Sequence, residues 1–149
     1  MAGRLFDPAS RIDSRGIMKF NPVSPDGGRV MLEVDGNVAT LIGEIDQASP
    51  KVFLGPFFEG IHAAAEQENL REVKVDIRRL TFLNSSAVKE LIGWVLKRNR
   101  LPPGKKYAIE FIYDSSILWQ RVTMPTLSQL DPDFVVLSDR AKAPPSRHR

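Results

Sequence analysis

The chain switches repeatedly between two hydrophobic periods, and the switches mark its elements. Residues 29–34 read as a strand, Asp35-Gly36-Asn37 is a hairpin turn signal, and 38–45 is the returning strand. Residues 50–56 read as a loop, with Pro56 suited to the first turn of a helix. Phe57, Ile61, Ala64 and Ala65 then recur at helical spacing to about Glu68. In 73–77 the alternation of Val73, Val75 and Ile77 predicts a strand, and 81–84 a loop after it. Val88, Leu91, Ile92, Val95 and Leu96 then follow the spacing i, i+3, i+4, i+7, i+8 of an amphipathic helix, which Asn99 and Pro102-Pro103 stop. Residues 107–113 predict a strand. Ser115 or Ser116 is placed to cap a short helix through Val122, interrupted by Pro125, with Leu127 and Leu130 continuing its apolar stripe. Residues 134–137 predict the last strand.

The predicted order is β-β-α-β-α-β-α-β. A hairpin followed by alternating helices and strands implies an α/β domain with a mixed central sheet and packed helices. The domain spans 29–137. Residues 1–28, broken by Pro8, Pro22, Pro25 and Gly27-Gly28, are expected to be flexible, although 17–20 could add a short strand. Residues 138–149 are expected to form a disordered basic tail.

Charge changes this picture little. The net charge of +3 and a pI of about 9.4 raise the question of nucleic acid. Residues 30–137 hold twelve basic and fourteen acidic side chains, so the excess lies in the tails. A basic face on the domain is therefore not expected, nor specific nucleic-acid binding. No apolar run approaches the ~20 residues that span a bilayer. The first fourteen residues carry Arg4 and Arg11 without an apolar stretch, so no secretory signal is expected. The absence of cysteine removes disulfides, cysteine-based zinc sites and thiol catalysis. A cytoplasmic protein fits these features.

Few residues point to chemistry. His62 stands alone inside a helix and His148 in the tail, so no metal site is expected. Glu44 and Asp46 share a strand face without a nucleophile or base, and Gly55 and Gly60 form no phosphate loop. No cofactor and no enzymatic activity are expected. Arg78-Arg79 reads as a solvated pair, and Trp119 as core. Trp94 shares a helix flank with Ala87, Glu90 and Arg98, at i, i+3, i+7 and i+11 from Ala87. That flank reads equally as a protein-binding surface or as packing under a neighbouring loop.

The most informative stretch is Asp76-Ile77-Arg78-Arg79-Leu80-Thr81-Phe82-Leu83-Asn84-Ser85-Ser86-Ala87. It resembles the signature of STAS domains, where a strand ending in Asp leads through an aliphatic-x-aromatic-aliphatic run to Asp-Ser-Ser/Thr-Gly at a helix start. Gly43-Glu44-Ile45-Asp46 is similar to the family's close of the second strand. Asn84 and Ala87 depart from the usual Asp and Gly. The resemblance covers about 29–137 and is nearest to bacterial anti-sigma factor antagonists. It implies a cytoplasmic partner-switching module without enzymatic activity, in which Ser85, and less so Ser86, is the phosphorylated hydroxyl. The implied partners are a serine kinase of the histidine-kinase-like ATPase fold and a PP2C-type phosphatase. The implied contact surface is Leu83, Asn84, Ser85, Ser86, Ala87, Glu90, Trp94 and Arg98. A homodimer stays open, as does a constitutive scaffold or ligand-binding subunit without phosphorylation. Read without the resemblance, Ser85 and Ser86 are simply helix-capping residues.

Overall fold

A computed structural model describes residues 19–23 and 29–141. Most of the N-terminal segment (1–18 and 24–28) and most of the basic tail (142–149) lie outside the described residues. Six strands form one sheet: β1 (Lys19–Val23), β2 (Val30–Asp35), β3 (Val38–Ile45), β4 (Glu72–Leu83), β5 (Ala108–Tyr113) and β6 (Val135–Asp139). Their order in the sheet is their order in the chain. β1, β2 and β3 run antiparallel, and β3 to β6 are parallel. The helices α1 (Lys51–Gln67), α2 (Ser85–Asn99) and α3 (Leu118–Ser128) make the three parallel crossovers.

Each crossover steps the same way along the sheet, so a single handedness puts all three helices on one face. The burial pattern agrees. Val30, Leu32 and Val34, Ala39 and Leu41, Val73, Val75 and Ile77, and Ile109 and Phe111 point into one core with the helices' apolar residues. Met31 and Val136, which alternate with these, stay exposed. The mixed α/β architecture is as the hydrophobic pattern predicts.

The strand predicted at 73–77 runs instead to Leu83. Its register against β3 slips twice, between Asp76 and Arg79 and between Leu80 and Phe82, each time by one extra residue on β4. These bulges turn Arg78-Arg79 and Thr81-Phe82 outward as pairs while Ile77, Leu80 and Leu83 all stay buried. An inward spacing of three hides the strand from a search for alternation. Beyond Asp76 the strand has also lost β5, its neighbour up to the pair Asp76–Ile112. α3 takes over there. The buried Gln120 donates from Nε2 to the carbonyls of Ile77 (2.6 Å) and Leu80 (3.0 Å) and accepts the Asp114 N–H at 2.8 Å. Trp119, expected in the core, is half-buried and donates Nε1–H to the Leu80 carbonyl at 2.8 Å.

Other boundaries differ for local reasons. α1 begins at Lys51, so Pro56 lies inside the helix rather than in its first turn. Pro56 and Val52, whose carbonyl loses its usual donor there, are both exposed, so water can satisfy it. α1 ends in a Schellman motif: Asn69 takes a left-handed φ of 54°, and the N–H groups of Leu70 and Asn69 reach back to Ala65 and Glu66. α3 starts after Ile117, without a serine cap, and continues through Pro125. Asp114 holds the preceding turn by accepting from the Ser116 N–H and hydroxyl. Strand β1 lies within the segment expected to be flexible. It pairs with β2 as an edge strand, with its irregularity between Phe20 and Val23, the place where Pro22 can be accommodated.

Gly43 is required where it stands. Its φ of +110° is one that only glycine adopts readily, and a Cβ there would meet the Arg29 carbonyl oxygen at 1.8 Å. The following residue, Glu44, donates its N–H to that oxygen at 3.2 Å.

If the Gln120 amide replaces the missing strand beside β4, Gln120→Leu takes it from the Ile77 carbonyl and the Asp114 N–H, while the Leu80 carbonyl keeps only Trp119. The expected loss is about 3 kcal/mol in urea unfolding. A loss below about 1 kcal/mol would mean that water already satisfies them.

Candidate partner-binding site

β4 delivers the sequence motif to the C-terminal end of the parallel strands. Asn84 is fixed there by four hydrogen bonds. Its N–H donates to the Ile45 carbonyl (3.0 Å) and its carbonyl accepts from Val88 (3.0 Å). Its side-chain oxygen accepts the Ala87 N–H (2.9 Å), and its Nδ2 donates to the Gln47 carbonyl (2.9 Å). Asn84 is therefore the N-cap of α2 and a staple to the loop after β3. An aspartate could cap the helix but has no proton for the Gln47 carbonyl. This is a physical reason for Asn at the position where the signature that the motif resembles has Asp.

Because Asn84 does the capping, the two serines do not. Ser85 and Ser86 are both exposed, and neither hydroxyl takes part in a hydrogen bond among the described residues. The capping role read for them from sequence is corrected by the better-placed amide one residue earlier.

The rest of the predicted contact surface divides. Asn84 and Glu90 are half-buried, whereas Leu83, Ala87, Trp94 and Arg98 are buried. α2 buries a second flank because α1 lies beside it. Trp94 stacks on Phe58 with ring centroids 4.9 Å apart and donates Nε1–H to the Tyr107 hydroxyl at 3.0 Å. Neither sequence reading of this residue, surface or loop cover, anticipated a helix–helix contact. Arg98 is fully buried. Its Nε donates to the Tyr107 carbonyl (2.6 Å), it pairs with Asp131 (3.0 Å) and Asn99, and it lies 4.8 Å over the Phe134 ring. These contacts tie the end of α2 to the start of β5 and to the loop before β6. The exposed part of the predicted surface is thus the α2 start, Ser85 and Ser86, with Asn84 and Glu90 beside it.

His62 is also built in, not isolated. The Tyr107 hydroxyl accepts from Trp94 and shares a second hydrogen bond with His62 Nδ1 at 2.7 Å. The other ring nitrogen, Nε2, faces Glu66 at 4.0 Å. Burial holds the His62 pKa below its ordinary value, against the attraction of Glu66 and Glu59 and together with the repulsion of Lys97. Burial likewise pushes the Tyr107 phenol well up, so it remains protonated.

On the open face of the sheet, Arg78 is not merely solvated. It grips Asp76 through Nε (3.0 Å) and NH2 (2.7 Å) and holds that carboxyl below the usual carboxylate range. Arg79 stays exposed. Asp46 pairs with Arg29, and Glu44 is exposed, so the two acids form no catalytic pair. Among the described residues no cluster of three or more His, Asp or Glu could hold a metal. No described helix is long and apolar enough to cross a membrane.

No protein-family model matches the sequence, and no curated protein matches it. Solved structures do. A chain in the crystal structure of the diguanylate cyclase SiaD in complex with its activator SiaC, from Pseudomonas aeruginosa, superposes with a TM-score of 0.61. The match has 14% sequence identity and covers 79% of this chain and 98% of that one. The fold is STAS-like. An anti-sigma factor antagonist from Mycobacterium paratuberculosis also matches, with a TM-score of 0.45 and 16% identity over 76% of this chain and 88% of that one. On this STAS-like frame the motif read from the sequence sits where a strand hands over to an exposed helix start.

Two expected outcomes follow from this geometry. Asn84→Ala costs about 1–2 kcal/mol in chemical denaturation and Asn84→Asp about 1 kcal/mol, whereas Ser85→Ala and Ser86→Ala stay within about 0.5 kcal/mol. Equal losses at all three positions would show that the serines share the cap. For His62, the unfolded state binds more protons than the folded one as pH falls below 6.5, so stability declines there and is regained on return to neutrality. Between pH 7 and 5 the decline is smaller in His62→Gln, measured as denaturation midpoints. An identical slope in both proteins would place the effect elsewhere.

Proposed function

We propose that this protein is a non-enzymatic, protein-binding regulator of a bacterial partner-switching system, controlled by reversible phosphorylation of Ser85. The observation that carries the reading is the division of labour at the α2 start. Asn84 holds the helix, and the Ser85 hydroxyl beside it is exposed and uncommitted. A kinase can reach such a hydroxyl without dismantling the fold.

The physics of the switch is local. The first turn of a helix presents unpaired N–H groups and partial positive charge, so a phosphate there is tolerated. It adds roughly −1.5 to −2 charges at pH 7 to a surface that docks a partner. Weakening a partner a hundredfold takes only about 2.7 kcal/mol, within reach of one misplaced phosphate. The partners of this reading are a serine kinase of the histidine-kinase-like ATPase fold and a PP2C-type phosphatase, acting in the cytoplasm. The fold shared with a chain of a cyclase–activator complex makes a signalling enzyme an alternative to an anti-sigma factor as the regulated target. A constitutive scaffold on the same surface is the rival reading.

The test is intact-mass and phosphosite analysis of the protein from its own growing and starved cells. Occupancy at Ser85 that changes with condition is expected, with Ser85→Asp weakening capture of the co-purifying partner at least about tenfold and Ser85→Ala leaving it intact. Ser85 and Ser86 unmodified in every condition would instead establish the constitutive scaffold.

A further inference from the structure

At the opposite end of the parallel strands from Ser85 lies a hollow of about 340 Å³. β4 runs from one to the other through twelve residues, roughly 35 Å. The hollow is walled by Asn69, Leu70 and Arg71 before β4, Gly104, Lys105 and Lys106 before β5, and Phe134 before β6. Three separate connections therefore converge on it.

Its charge is one-sided. Arg71, Lys105 and Lys106 line it, and no carboxylate does. None of the three is in an ion pair among the described residues, and the Lys105 ammonium has only the neutral Asn69 side chain, at 3.3 Å. Residues 29–141 hold fourteen basic and fifteen acidic side chains, and Lys74, Arg78, Lys97 and Arg98 each face a carboxylate. Three like charges around one concavity repel one another, and the hollow concentrates their field. The sequence reading, which assigned the excess positive charge to the tails, misses this because the three cations come from two distant segments.

We propose that this hollow binds a small polyanion carrying phosphoryl groups. The Arg71 guanidinium supplies a planar fork, and the two ammonium groups supply point charges from the facing connection. Phosphoryl oxygens radiate in several directions and can meet donors that approach from two sides, whereas a carboxylate presents two oxygens in one plane. Phe134 forms an apolar wall and is itself backed by the buried Arg98. The site is independent of Ser85 and stands or falls separately from the partner-switching reading.

The test is an amide NMR titration of the full chain with inorganic pyrophosphate and with tripolyphosphate, at constant ionic strength. Saturable shifts are expected at 69–71 and 104–106, with the residues around Ser85 unmoved. Arg71→Gln and Lys106→Gln, both surface changes, should each weaken binding about tenfold, and Lys89→Gln should not. Shifts that fail to saturate, or that appear equally at Lys89 and Arg100, would reduce the hollow to general counterion screening and overturn the proposal. Citrate binding as tightly as tripolyphosphate would overturn the phosphoryl assignment.

Discussion

The placement of the α2 start depends on β4 continuing past the point where its neighbour β5 leaves it. A parallel strand that loses a neighbour exposes backbone groups next to a core, which is costly unless something replaces the ladder. Gln120 replaces it, with one amide reaching two carbonyls of β4 and one N–H of the β5–α3 turn. The two bulges are the other half of the arrangement. They let Ile77, Leu80 and Leu83 stay in the core while the chain advances to Asn84. With β4 held on one side by β3 and on the other by an α3 side chain, the start of α2 has a fixed position at the strand end.

A second set of polar groups secures α2 from its far end. The Tyr107 hydroxyl joins Trp94 of α2 to His62 of α1, and the Tyr107 carbonyl takes the buried Arg98. One residue at the mouth of β5 thereby fixes the relative placement of two helices. Buried polar networks of this kind specify one arrangement more sharply than apolar packing does, because any slip leaves a donor or acceptor unpaired. α2 is thus pinned at Asn84 and at Arg98, and the exposed serines lie at the first of these pins.

Much of this was legible in the sequence, and the exceptions have physical causes. The hairpin, the amphipathic helices and the α/β class follow from residues such as Val73, Val75 and Ile77 or Leu91 and Val95, whose periods are intact. The end of β4 was not legible because bulges destroy a period of two. Pro56 pointed to a helix start, yet a proline on an exposed face is tolerated a turn later. The flank of Trp94 and Arg98 read equally as surface or as cover for a loop, because a helix wheel shows one apolar stripe and cannot show that α1 lies along the adjacent flank. Gln120 carried no signal at all: a lone glutamine gains its role only from the two carbonyls opposite it. At the candidate site, the motif placed Ser85 at the helix start correctly. Only the coordinates of the Gln47 carbonyl explain why asparagine precedes it.

The sheet has one further property, which concerns how the chain reaches this state. Among the described residues each strand pairs only with its neighbours in chain order, so no pairing skips a strand. The hairpin of β2 and β3 can form first, and each helix-bearing crossover then closes onto an edge that already exists. The hairpin pairing is local, whereas each parallel pairing must first close a helix-bearing crossover, which is the slower kind of step. The strand order suits a chain emerging from the ribosome, since each new unit finds its docking edge already made.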